Sequence, residues 1–90
     1  MALAIYFHPK SLSVAQYDEA IRELDAAGAG RPAGRTHHSC FGPDGDLMVY
    51  EVWDSQQAFE GYGSVLMPIL GKAGIDPGTP DVMPLHNLIA

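Results

Sequence analysis

The first apolar run, LAIYFH from Leu3 to His8, is rich in aromatic and aliphatic residues and stops at Pro9, the pattern of a strand. The rhythm then changes. Val14, Tyr17, Ile21 and Leu24 recur at helical spacing, with Asp18, Glu19, Arg22 and Glu23 on the other side. Ser13 stands just before this stripe and Gln16 lies three residues on, which fits a capping box; Gly28 and Gly30 stop the helix. RTHHSCF, Arg35 to Phe41, is a second strand, and GPDGD links it to a third, LMVYEVW, from Leu47 to Trp53. So short a link favours an antiparallel hairpin. Asp54 or Ser55 then caps a second helix carrying Ala58, Phe59, Tyr62, Leu66, Ile69 and Leu70, closed by Gly71 and Gly74. Pro68 is expected to bend it. The tail DVMPLHNLI, from Asp81, supplies the last strand, where Pro84 suits an edge.

This order, βαββαβ, predicts an α+β fold: a ferredoxin-like sandwich of four antiparallel strands with two helices on one face, in one domain over residues 1–90. The helices cover only that face. Yet Leu47, Val49 and Trp53 point one way while Met48, Tyr50 and Val52 point the other, and Leu3, Ile5 and Phe7 oppose Ala4, Tyr6 and His8. A sheet with one wet face should carry polar residues there. A homodimer in which two sheets face each other is therefore expected.

The element order, the junction VYEVWDSQQAF and the later LMPIL and PLHNLI resemble small members of the dimeric α+β barrel superfamily, which includes the antibiotic-biosynthesis monooxygenase-like proteins. The resemblance covers most of the chain. It implies a dimeric α+β barrel in which Trp53 closes a strand bordering a cavity, and a last strand near the dimer seam. That group includes cofactor-free oxygenases of activated aromatics, haem-degrading enzymes, isomerases and proteins with no known activity, so it implies a fold more than a reaction.

Composition removes several alternatives. Apolar residues make up 47 % of the chain and charged ones 18 %, which argues for a folded globule. The net charge of −6, with only five Lys and Arg and no basic cluster, disfavours a nucleic-acid surface. The single cysteine, Cys40, excludes an internal disulfide and a cysteine zinc site. No apolar segment is long enough for a bilayer span or a secretory leader, so no membrane partner and a cytoplasmic location are expected. GAGRPAG lacks the Lys-Ser/Thr ending of a phosphate loop, and ligand spacing makes no strong case for zinc or haem, though one histidine could ligate haem axially, so no resident cofactor is expected.

Candidate chemistry rests on His38, Glu51 and His86. A carboxylate on an interior strand needs a polar partner, and a histidine beside it gains basicity for taking a proton from a phenol or enol. His37 and His38 are strand neighbours and leave opposite faces; His38, nearer the middle of its strand, is the better pocket residue. His86 is placed to complete a pocket at the subunit boundary, and His8 sits at a strand end. Tyr6, Trp53, Tyr50, Phe59 and Tyr62 offer aromatic walls for a small hydrophobic or aromatic ligand. The expected phase puts Leu3, Ile5 and Phe7 against the helices, and Glu51 and Trp53 on the barrel side with Tyr6 and His8. The function this implies is a cofactor-independent oxygenase or proton-transfer enzyme acting on a small conjugated molecule. The alternative is a non-catalytic homodimer that binds a small molecule or stabilises an assembly.

Overall fold

The computed structural model describes residues 2–90. Its elements are β1 (Leu3–Phe7), α1 (Val14–Ala26), β2 (Arg35–Phe41), β3 (Met48–Trp53), α2 (Gln56–Lys72) and β4 (Asp81–Pro84). They build a four-stranded antiparallel sheet in the order β2-β3-β1-β4. The ferredoxin-like βαββαβ arrangement follows, with both helices on one side.

Local chemistry sets the element ends. The Ser13 hydroxyl accepts from the Gln16 amide at 3.1 Å and the Gln16 side chain accepts from the Ser13 amide, so the capping box forms at α1. Gly28, at φ +72°, takes the left-handed turn just past the C-cap Ala27. Ser55, not Asp54, caps α2, its side chain accepting from the Ala58 amide at 3.1 Å. Helix α2 runs through Pro68 to Lys72. Gly34 has φ +92°, and a Cβ there would meet Ala58 at 2.8 Å, so the turn into β2 has no room for a side chain.

The last strand is shorter than the sequence predicts. It ends at Pro84, and the stretch from Leu85 onward is irregular apart from the Leu85 amide donating to the Ala2 carbonyl at 2.9 Å. Proline offers no amide to the ladder, and β4 is an edge strand, so nothing on its outer side extends the pairing. Val14, read as part of the buried stripe, is instead exposed at the start of α1.

The expected phase of β3 is reversed. Ile5 pairs with Glu51, Leu3 with Trp53 and Phe7 with Val49. Opposed residues of an antiparallel pair share a face. Glu51 and Trp53 therefore face the helices with Leu3, Ile5 and Phe7, while Tyr6 lies opposite Tyr50 on the uncovered side. The helix-facing set closes the core: Trp53 and Ile5 are fully buried, packed with Phe7, Val49, Leu24 and Tyr62. Each such side chain contributes about 1.5–3 kcal/mol by leaving water, which favours this phase, while the donors gathered around Glu51 offset the cost of bringing its carboxylate along. Val49→Asp should accordingly unfold the protein, with a loss of about 3 kcal/mol or more. Circular dichroism under urea checks this; a folded variant impaired only in self-association would contradict the placement of Val49.

Candidate functional site

Strand β2 carries the decisive irregularity. Arg35 pairs with Trp53 and His37 with Val52, so β2 spends one extra residue, Thr36, where β3 advances by one. In a regular strand Arg35 and His38, three apart, would leave opposite faces. The bulge puts both on the helix-facing side, where His38 lies opposite Glu51.

Glu51 is 5 % exposed, and each of its carboxylate oxygens has a hydrogen-bond partner. His38 Nδ1 is 2.6 Å from Oε2, and the Trp53 indole N–H donates to Oε1 at 2.9 Å. Arg35 Nη1 reaches Oε2 at 3.5 Å while its Nη2 donates to the Gly30 carbonyl at 2.9 Å. Burial pushes the Glu51 pKa up, but the bonds from His38 and Trp53, with the charge of Arg35, outweigh it and hold the carboxyl below its ordinary value. An ionised carboxylate only accepts. Nδ1 of His38 must therefore carry hydrogen, which leaves Nε2 as the acceptor for the Tyr17 hydroxyl at 2.6 Å. The result is a line, Glu51–His38–Tyr17, running from β3 across β2 to α1.

The line ends at a cavity between sheet and helices. It gives the centres of water-sized molecules about 80 Å³, several times the ~10–15 Å³ that one water takes by the same measure. His38, Glu51 and Arg35 form its polar corner. Tyr17, Ile21 and Leu24 from α1, Leu66 and Leu70 from α2 and Phe7 and Val49 from the sheet make it apolar elsewhere. Pro9, Leu12, Ile75 and Pro77, from the loops after β1 and α2, complete it. Tyr62 also lines it, donating to the Ala29 carbonyl at 2.6 Å with the Arg35 guanidinium 5.9 Å from its ring centre.

Of the residues singled out in the sequence, His38, Glu51 and Tyr62 meet at this cavity. Trp53 stands behind it as Glu51's donor, and Phe59 packs on Trp53 at 5.7 Å and on Phe7 at 6.2 Å, both in the core. Tyr6 and Tyr50 are on the other sheet face and cannot wall it. His86 lies exposed beyond the end of β4. His37 lies tilted against Tyr50, ring centres 5.6 Å apart, with its Nε2 3.2 Å from the Ser39 hydroxyl, and exposed His8 pairs with Asp46 at 2.9 Å. Arg35 and Tyr17 are the additions. A tyrosine on a buried helix stripe needs a partner for its hydroxyl, and that signal was present; Arg35 needed the bulge, which no residue pattern announces. Among the described residues, no group of three or more His, Cys, Asp and Glu is gathered to hold a metal.

The sign of the Glu51 shift fixes a pH dependence. Its folded pKa is depressed, so its contribution to stability is present above the unfolded carboxylate value and is lost as pH falls through the folded one. Glu51→Gln should cost about 1–3 kcal/mol at neutral pH and shrink the difference from wild type on acidification below about pH 4. Urea unfolding followed across pH measures both.

Neither a protein-family model nor a curated protein matches the sequence. Solved structures do resemble the fold. A point variant of SnoaB, a cofactor-independent oxygenase from Streptomyces nogalater, superposes with a TM-score of 0.69 at 13 % identity, over 98 % of this chain and 96 % of that one. A candidate antibiotic biosynthesis monooxygenase from Chloroflexus aurantiacus J-10-fl gives 0.66 at 14 % identity, over 98 % and 97 %. Rv0793 from Mycobacterium tuberculosis gives 0.62 at 11 % identity, over 99 % and 97 %. At these identities the likeness is one of architecture, and this chain has the ferredoxin-like α+β fold of the antibiotic-biosynthesis-monooxygenase-like proteins.

Proposed function

We propose that the protein is a proton-abstracting enzyme of the cofactor-independent oxygenase kind, acting on a small conjugated hydroxyl compound. The observation that carries this reading is the Glu51–His38 pair at the polar corner of an otherwise apolar cavity. His38 is the general base, accepting the ligand's proton at Nε2. Glu51 holds the ring in the required tautomer and balances the imidazolium that forms. The apolar walls fit a flat hydrocarbon frame and limit water, which keeps the charged groups at the corner effective. Among the described residues, Arg35 is the one Lys or Arg side chain lining the cavity and the nearest cation for an oxyanion.

A conjugated anion made in this way is electron-rich enough to pass an electron to dioxygen. If a ring methylene becomes a carbonyl, one oxygen atom enters the product and the other leaves as water, and the substrate itself supplies the electrons. Fold likeness to an oxygenase supports this choice over other uses of a base; the geometry supports the base.

The uncovered sheet face supports a homodimer. Tyr6, Tyr50, Met83 and Phe41 lie on it, Met83 and Phe41 exposed, with two helices already spent on the other side. Sheet-to-sheet association covers this surface and gives the dimeric barrel that the sequence resembles. The exposed tail with His86 is then free to approach a partner copy.

The direct test is turnover of quinols, phenols and aryl ketones monitored by oxygen uptake. His38→Gln should lower the rate about 100-fold or more, the usual scale of a general base. Glu51→Gln should lower it about 10-fold or more with ligand binding retained. Full activity in both variants would remove proton abstraction as the function and leave a binding protein. Sedimentation equilibrium at low micromolar concentration should give a dimer in wild type and a folded monomer for Tyr50→Asp; a monomeric wild type would sink the barrel.

A further inference from the structure

Both ring nitrogens of His38 are engaged within the chain, Nδ1–H with Glu51 and Nε2 with the Tyr17 hydroxyl, each at 2.6 Å. A neutral imidazole has one acceptor lone pair. While Tyr17 holds it, a ligand proton has no place to go. The two rings are nearly parallel, 12° apart with centroids at 6.0 Å, so helix α1 presents Tyr17 to His38 as a fixed partner at the cavity wall. Burial pushes the Tyr17 pKa up to about 12. At neutral pH its phenol therefore donates a hydrogen bond without giving up the proton. It has the functional group of the proposed ligand and none of its reactivity.

Resting on the proton-abstraction reading above, we propose that Tyr17 is an internal competitor for His38 that makes the cavity selective for conjugated hydroxyl compounds more acidic than a tyrosine phenol. The exchange swaps one hydrogen bond for another. The Tyr17 O–H turns away from Nε2 and a ligand O–H takes its place. The ligand's O–H bond then breaks, its proton bonds to Nε2, and the electron pair stays on the ligand oxygen. Tyr17, released, can donate to that oxyanion. A hydroxyl no more acidic than Tyr17 gains nothing from the swap, because it replaces a neutral hydrogen bond with an equal one. An acid strong enough to ionise gains a charge-assisted bond, roughly twice as strong. Selectivity thus comes from acidity as well as from the shape of the apolar wall.

The test compares wild type with Tyr17→Phe, using chlorinated and nitrated phenols of graded acidity and their methyl ethers. Calorimetry reads binding, and phenolate absorbance reads ionisation. Removing the competitor should tighten phenol binding about 5-fold, most for the weakest acids, while the ethers bind both proteins alike. Wild-type affinity should also rise more steeply with phenol acidity than that of the variant. Phenol affinity unchanged or weakened in Tyr17→Phe, with wild type still ionising the acidic phenols, would overturn the competitor and leave proton abstraction standing. Failure of both proteins to ionise any phenol would overturn the two together. Should Tyr17→Phe not fold, wild type labelled with ¹³Cζ-tyrosine decides: the Tyr17 resonance must move with a saturating acidic phenol and not with its methyl ether. A stationary resonance overturns the proposal.

Discussion

A carboxylate placed among Trp53, Ile5 and Tyr62 would be prohibitive without donors, and the arrangement of this site follows from supplying them. Glu51 draws on its own strand through Trp53, and on β2 through His38 and Arg35. Each donor is fixed by something else. Trp53 is locked by the core, Arg35 by the Gly30 carbonyl and His38 by Tyr17. Removing Trp53 leaves Oε1 without a partner and removing His38 leaves Oε2 with only the longer contact from Arg35, so the group is linked rather than a set of separate pairs.

The bulge at Thr36 is what lets β2 contribute twice. With period two maintained, β2 could offer Glu51 either Arg35 or His38, never both. One extra residue aligns a permanent cation and a titratable base on the same side. The cation helps keep Glu51 ionised, and an ionised Glu51 dictates the tautomer of His38. A backbone irregularity thereby reaches the tautomer of His38, two bonds of the network away.

The two sheet faces divide the labour. The helix-facing side combines the hydrophobic core with the polar corner, so the cavity is an incompletely filled part of the core, lined by the same helices that stabilise the fold. Tyr6 and Tyr50, which an aromatic inventory would have assigned to a ligand, sit on the opposite face, where the same apolar surface fits association with a second copy. Aromatic content alone does not separate these uses; the face does.

The sequence determined the element order, the capping box at Ser13 and the hairpin between β2 and β3, because each is set by residues close along the chain. It also marked Glu51 as a residue in need of a partner and His38 as a candidate to provide one. Only tertiary structure decided which face those residues occupy. Both alternating sets of β3 contain large apolar side chains, so alternation is symmetric and the choice falls to packing: Trp53 fills the space beneath the helices and carries Glu51 with it. The same limit hid Arg35, whose direction depends on a bulge, and Tyr17, whose partner lies 21 residues away. Local pattern specifies what a segment is; which side chains meet is settled by register, and register is a property of two strands at once.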